Sequence, residues 1–124
     1  MDKMKTILVI DDDPAMLELI SDFCDGMGYR VESELESVKA LARVQELKPD
    51  LITLDLQMPT PDGFDLLKQI KADPALQHIP ILIVSVLASD AQRQGFMDMA
   101  QAFFNKPIDF SKFKDKIEQL AKKD

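Results

Sequence analysis

Hydrophobic positions along this chain fall into short blocks of two kinds, and their alternation predicts the architecture. Ile7-Leu8-Val9-Ile10, Leu51-Ile52-Thr53-Leu54 and Ile81-Leu82-Ile83-Val84 are unbroken runs of uncharged, mostly branched residues. Such runs suit strands buried on both faces, as in a parallel sheet. Tyr29 to Ser33 alternates apolar and polar, the pattern of a half-exposed edge strand. Ala102-Phe103-Phe104 reads as a short last strand.

The blocks between carry helical spacing. Pro14 suits a first helical position with Asp13 as its N-cap, and that helix runs to residue 26 or 27, where Gly28 stops it. A second helix covers residues 37–47 and ends before Pro49. Residues 63–71 form a third, with Phe64, Leu67 and Ile70 facing inward. A fourth, at 89–99, has the weakest pattern, with Gly95 inside it. The last spans 109–122, with Phe110, Phe113, Ile117 and Leu120 on one face. Strands and helices alternate five times, which predicts a doubly wound α/β domain over residues 1–124: a five-stranded parallel sheet with helices on both faces.

Composition narrows the function. A net charge of −7 argues against a nucleic-acid surface, which needs an excess of Lys and Arg. The Lys-rich stretch after Ser111 reads as a solvated helix face. The single Cys24 cannot pair internally, which suits a reducing cytoplasm, and it shares a helical face with Leu17, Ile20 and Met27. No run is long enough to cross a membrane, and the N-terminus lacks the apolar run of a signal peptide. The short tail after the last helix leaves no room for an output domain. His78, in a Pro-flanked loop, reads as a surface residue.

The chemistry lies where the strands stop. Asp11 and Asp12 follow the first strand, Asp55 ends the third, Ser85 ends the fourth, and Lys106 follows the fifth. In a parallel sheet these ends share one edge, the edge at which open α/β sheets bind ligands. Each residue alone has a plain explanation: a helix cap for the Asp run, a turn-former at Asp55, a strand terminator at Ser85. Fold stability does not explain the set, because three neighbouring carboxylates repel one another. A divalent cation removes the conflict, and an all-oxygen donor set without His or Cys favours Mg²⁺. Asp12 and Asp55 are the direct ligands in this reading. Asp11 binds directly or through a coordinated water, and the Gln57 carbonyl completes the shell. Asp55 is then the nucleophile that accepts a phosphoryl group, with Lys106 and Ser85 facing the phosphoryl oxygens.

The stretches Ile7 to Pro14 (ILVIDDDP) and Pro49 to Asp55 (PDLITLD), then Met58-Pro59, Asp62-Gly63, Ser85 and Lys106-Pro107, resemble the receiver domain of two-component response regulators over the whole chain. The resemblance implies a flavodoxin-like fold with strand order 2-1-3-4-5 and phosphorylation of Asp55 with Mg²⁺. The donor would be a histidine kinase or histidine phosphotransfer protein. It also implies no catalysis beyond the chain's own phosphoryl transfer and slow autodephosphorylation, and often a cis bond between Lys106 and Pro107. Ser85 and Phe103 would form the switch, reshaping a surface of the fourth helix, last strand and last helix where a downstream protein docks. The implied assembly is a monomer or weak dimer.

Two positions depart from the family pattern. Val86 stands where a small residue, commonly Ala, is usual, and its bulk would narrow access to the site. Phe103 lacks the hydroxyl of the more familiar Tyr. Other readings are a receiver belonging to a larger regulator or hybrid kinase, or a receiver-fold scaffold that is never phosphorylated. An Asp-nucleophile phosphohydrolase would need a second Asp where this chain has Gln57, and a cap domain.

Overall fold

Successive residues of a strand point to opposite sides of the sheet, and the apolar runs of this chain use that alternation to fill two cores at once. In β1 (Thr6–Ile10), Leu8 and Ile10 pack on one face while Ile7 and Val9 pack on the other. β3 (Leu51–Leu54) and β4 (Ile81–Ser85) are buried at every position. The computed structural model describes residues 4–59, 62–86 and 98–121.

β2 (Arg30–Glu34) and β5 (Ala102–Asn105) complete a five-stranded parallel sheet in the order β2-β1-β3-β4-β5. Both edge strands are only partly buried, as the alternation at 29–33 predicts for β2. The register sets Ile10 beside Leu54, and Ile83 beside Phe103.

One core lies under α2 (Ser37–Leu47) and α3 (Gly63–Ala72), which contribute Ala40, Val44, Leu66, Leu67 and Ile70. The opposite core lies under α1 (Pro14–Gly26) and the last helix, named α4 here (Phe110–Leu120), which contribute Leu17, Ile20, Cys24, Phe113 and Ile117. Burial pushes the Cys24 thiol up to about 12, so it behaves as a small apolar side chain.

Three helices open on a capping Asp, of which Asp13 is the one expected. Asp13 accepts from the Ala15 N–H, Asp62 from Asp65, and Asp109 from Ser111 and Lys112. Gly28 takes φ 93°, a left-handed value that glycine adopts without strain.

Three expectations are refined. The fully buried stripe of α3 is Gly63, Leu66, Leu67 and Ile70, while Phe64 packs against the same core but is half-buried, with the Lys68 ammonium 4.6 Å from its ring centroid. The second strand begins at Arg30, and Tyr29 is instead a buried side chain whose hydroxyl donates to the Ala121 carbonyl at 2.8 Å. Phe110 and Leu120 are half-buried but pack against the same core as the fully buried Phe113 and Ile117, so the expected face of α4 holds with its ends at the margin. Nearly all of the fourth helix expected at 89–99 lies outside the described residues. Among the described residues no helix is long and apolar enough to cross a membrane.

Candidate functional site

Asp11 and Asp55 are the first residues past two adjacent strands, and the sheet register sets them side by side. The Asp55 N–H donates to the Ile10 carbonyl at 3.0 Å, carrying the β1–β3 ladder up to the two acids. Both are buried, at 1% and 4% exposure, while Asp12 is exposed.

The two buried carboxylates are held in the same way. Oδ1 of Asp11 accepts from the Asp13 N–H at 3.0 Å, and Oδ1 of Asp55 accepts from the Gln57 N–H at 3.0 Å. Each is a side-chain turn closed two residues on, which fixes the carboxylate to its own loop. Each then aims its second oxygen at Lys106, whose ammonium lies 3.0 Å from Oδ2 of Asp11 and 3.6 Å from Oδ2 of Asp55. Lys106 arrives from β5, and its N–H donates to the Ser85 carbonyl at 2.8 Å. The peptide bond between Lys106 and Pro107 is cis.

Asp11, Asp12 and Asp55 each offer one oxygen, all within 4.8 Å of one another. Three carboxylates, two of them buried, and one ammonium leave an excess of two negative charges. The strain registers at Asp55. Burial raises its pKa to about 6, and Asp11 and Asp12 add to the rise, against the Gln57 N–H and Lys106. Lys106 shows the counterpart. Burial alone would lower its pKa, but the hydrogen bond and charge of Asp11, with the charge of Asp55, carry it upward. An excess of two charges, borne by hard oxygen donors, fits a Mg²⁺ ion.

Ser85 closes β4 and is 2% exposed. It shares a sheet face with Ile83, which is paired with Phe103, so Ser85 and Phe103 lie on the same side of the sheet on adjacent strands. Phe103 is half-buried and packs on the core beneath α2 and α3. Gln57 is exposed in the loop after β3, and Val86 is 46% exposed beside Ser85. Every residue expected at this edge except Phe103 is a strand-end or loop residue; Phe103 lies within β5. His78 is exposed and in the loop after α3.

Two contributors were not legible from the sequence. A Cβ on Gly63 would collide with the Asp55 carbonyl oxygen and lie 2.5 Å from the Leu56 Cα, so α3 starts directly against the backbone of the acidic loop. A Gly just after a capping Asp hints at such an approach. The second is Ser37, whose hydroxyl donates to the Pro59 carbonyl at 2.9 Å. Nothing in the local sequence marks that contact.

Residues 7–118 match the family model described as the response regulator receiver domain. Over 121 residues the chain is 34% identical to the DNA-binding dual master transcriptional regulator RpaA of Synechocystis, covering 97% of this chain and 50% of that protein. It is 28% identical to the polar-differentiation response regulator DivK of Brucella anthropi, covering 91% and 93%. The chain thus spans half of one relative and nearly all of another. Its fold is similar to a receiver domain from Colwellia psychrerythraea, with TM-score 0.88, 26% identity, and 94% and 98% of the two chains covered. It is also similar to the chemotaxis protein CheY4 of Vibrio cholerae, with TM-score 0.87, 24% identity, and 95% and 99% covered. Sequence match, sheet order and acidic edge agree: the chain belongs to the family of response regulator receiver domains.

Proposed function

We propose that the protein receives a phosphoryl group on Asp55 and signals through the change this makes at the edge of the sheet. The observation that carries the reading is the shared orientation of Asp11 and Asp55. Each has one oxygen tied to its own loop and the other turned toward Lys106, with Asp12 close by. Asp55 therefore presents a fixed oxygen in a pocket that already holds a positive charge.

In the transfer, an Asp55 carboxylate oxygen attacks phosphorus of a phosphohistidine. The O–P bond forms as the P–N bond breaks, and the imidazole nitrogen leaves with the electron pair. Asp11, Asp12, Asp55 and the Gln57 carbonyl would hold Mg²⁺, which supplies charge neutralisation at the phosphoryl oxygens. Lys106 moves its ammonium from the free carboxylate to a phosphoryl oxygen, and the Ser85 hydroxyl donates to another. Water attacking phosphorus later returns the carboxylate and releases phosphate.

Ser85 and Phe103 share a sheet face, which supports a switch in which movement of one makes room for the other. The readout is a protein partner docking on the surface of β5 and α4; the expected fourth helix of that surface lies outside the described residues. Relatives such as DivK, matched over 93% of its length, and RpaA, matched over 50%, leave open a stand-alone receiver and a receiver within a longer regulator.

The test is intact mass after incubation with acetyl phosphate, with and without Mg²⁺, beside Asp55→Ala. One added phosphoryl group that needs Mg²⁺ and is absent in the variant is the expected result. No gain, from acetyl phosphate or from a phosphorylated histidine phosphotransfer protein, would leave a phosphorylation-independent scaffold.

A further inference from the structure

The corner joining β2 to α2 supplies no carboxylate to the acidic pocket, yet it is bonded to both loops that do. On one side the Glu34 carbonyl accepts from the Asp11 N–H at 3.2 Å. On the other the Ser37 hydroxyl donates to the Pro59 carbonyl at 2.9 Å, across 22 positions of sequence. The corner is braced: Oε2 of Glu34 accepts from the Glu36 N–H at 3.0 Å, and Arg43 lies 3.2 Å from Glu32 and 3.6 Å from Glu34.

Ser37 is an unusual residue for this place. It opens α2 and is buried at 7% exposure, but its hydroxyl crosses to another loop, while the N-cap Glu36 makes no side-chain cap bond. Ser37 stands at the first helical position, and its hydroxyl bonds a different loop.

The described part of the loop it reaches is held at several named points. The Leu56 carbonyl accepts from the Gly63 N–H at 3.2 Å, the Gln57 N–H is committed to Asp55, and Met58 is buried in the core. Pro59 has no N–H to offer, so its carbonyl is the backbone handle at the far end. The Gln57 carbonyl thus lies between two ties, Leu56 to Gly63 and Pro59 to Ser37. We infer that Ser37 is a positioning residue for the Mg²⁺ site: its bond to Pro59 sets the loop so that the Gln57 carbonyl faces the cation held by Asp11, Asp12 and Asp55. This inference rests on the proposed phosphoacceptor reading.

Mg²⁺ affinity of the unphosphorylated protein, measured by calorimetric titration, tests it. Ser37→Ala should weaken Mg²⁺ binding about fivefold, the loss expected from one hydrogen bond. Ser37→Cys, close in size but a weak donor, should behave like Ala, and Ser37→Thr should recover affinity. Phosphorylation by acetyl phosphate at low Mg²⁺ should follow the same order, with the gap closing at saturating Mg²⁺. Wild-type affinity in both Ser37→Ala and Ser37→Cys, with only a lowered melting temperature, would reduce the contact to a fold tie. Should Ser37→Ala not fold, the Thr and Cys variants carry the comparison, and equal affinity in those two overturns the inference. Failure of the functional reading looks different: wild-type protein would then bind Mg²⁺ no better than Asp55→Ala does.

Discussion

The Lys106 ammonium stands 3.6 Å from Oδ2 of Asp55 and is itself only 15% exposed. It is the cation closest to a carboxylate that is otherwise crowded by two more negative groups. Its shorter contact, 3.0 Å, is to Asp11, so one ammonium bridges the two buried acids. Removing it should expose two different dependences.

The first is stability without Mg²⁺. Lys106→Met leaves Asp11 and Asp55 buried without their counter-ion, and one-sided removal from a buried pair is destabilising. Urea denaturation at pH 8 without Mg²⁺ should show a loss of about 1–3 kcal/mol. The loss should shrink at pH 5, where Asp55 is largely protonated, and shrink again on adding Mg²⁺. Phosphorylation at saturating Mg²⁺ should still fall about a hundredfold, because the lost donor acts on charge developing in transfer. Equal loss of stability at pH 5 and pH 8 would mean that Lys106 acts by packing rather than by charge.

A second prediction concerns Asp55 itself. Its folded-state pKa is raised from 3.8 to about 6, chiefly by burial, so the native state holds this proton more tightly than the unfolded chain does. The resulting contribution to stability is complete below pH 4 and disappears as pH rises through 6. Its size is on the order of 2–3 kcal/mol. Without Mg²⁺, Asp55→Asn should therefore match wild type near pH 4 and be the more stable protein at pH 8. A bound divalent cation favours the ionised carboxylate and should flatten the difference. Parallel stability profiles for the two proteins from pH 4 to pH 8 would show that Asp55 titrates as an ordinary acid.

Glycine positions give a paired prediction. At Gly63 a methyl group would run into backbone atoms of Asp55 and Leu56, which cannot rotate away as a side chain could. Gly63→Ala should cost on the order of 2 kcal/mol and, by pushing the acidic loop, should depress phosphorylation of whatever protein remains folded. Gly26, the last residue of α1, has nothing within 4 Å of its added Cβ. Gly26→Ala should stabilise by about 0.5–1 kcal/mol and leave phosphorylation unchanged. Thermal melts of both variants check the pair, and a Gly63→Ala protein as stable as wild type would mean that α3 is free to move off the loop.

These residues also mark how far the sequence can be read. Sheet and pocket were legible because each depends on a local signal. Four buried positions in a row at Leu51–Leu54 and a polar residue after them define a central strand and its end. Repetition of that signal at Asp11, Ser85 and Lys106 places them all on one edge. Phe64 was legible only in part, because spacing puts its ring on the core side but cannot show that it sits at the core's margin with Lys68 over it. Tyr29 was legible only in part because the partner of its hydroxyl, the Ala121 carbonyl, lies 92 positions away. Ser37 and Gly63 belong to the same class. What each does is decided by a loop that only folding brings near.

Val86 is the departure from the family pattern with the most direct kinetic consequence. It follows Ser85 immediately and is 46% exposed, so its side chain is not part of the core. Trimming it should change stability little, within about 0.5 kcal/mol, as is usual for exposed positions. A donor or an attacking water must approach Asp55 in line with the breaking bond, and two methyl groups beside Ser85 narrow that path. Val86→Ala should then speed both phosphorylation by acetyl phosphate and decay of the phosphorylated form. An increase of about fivefold is what relief of roughly 1 kcal/mol of barrier gives. Val86→Ile should move both rates the other way. Following decay by intact mass at saturating Mg²⁺ separates this from any effect on the metal. If Ala, Val and Ile at this position give one common decay rate, the lifetime of the signal is set inside the pocket, by Lys106 and Gln57, and not by the side chain that follows Ser85.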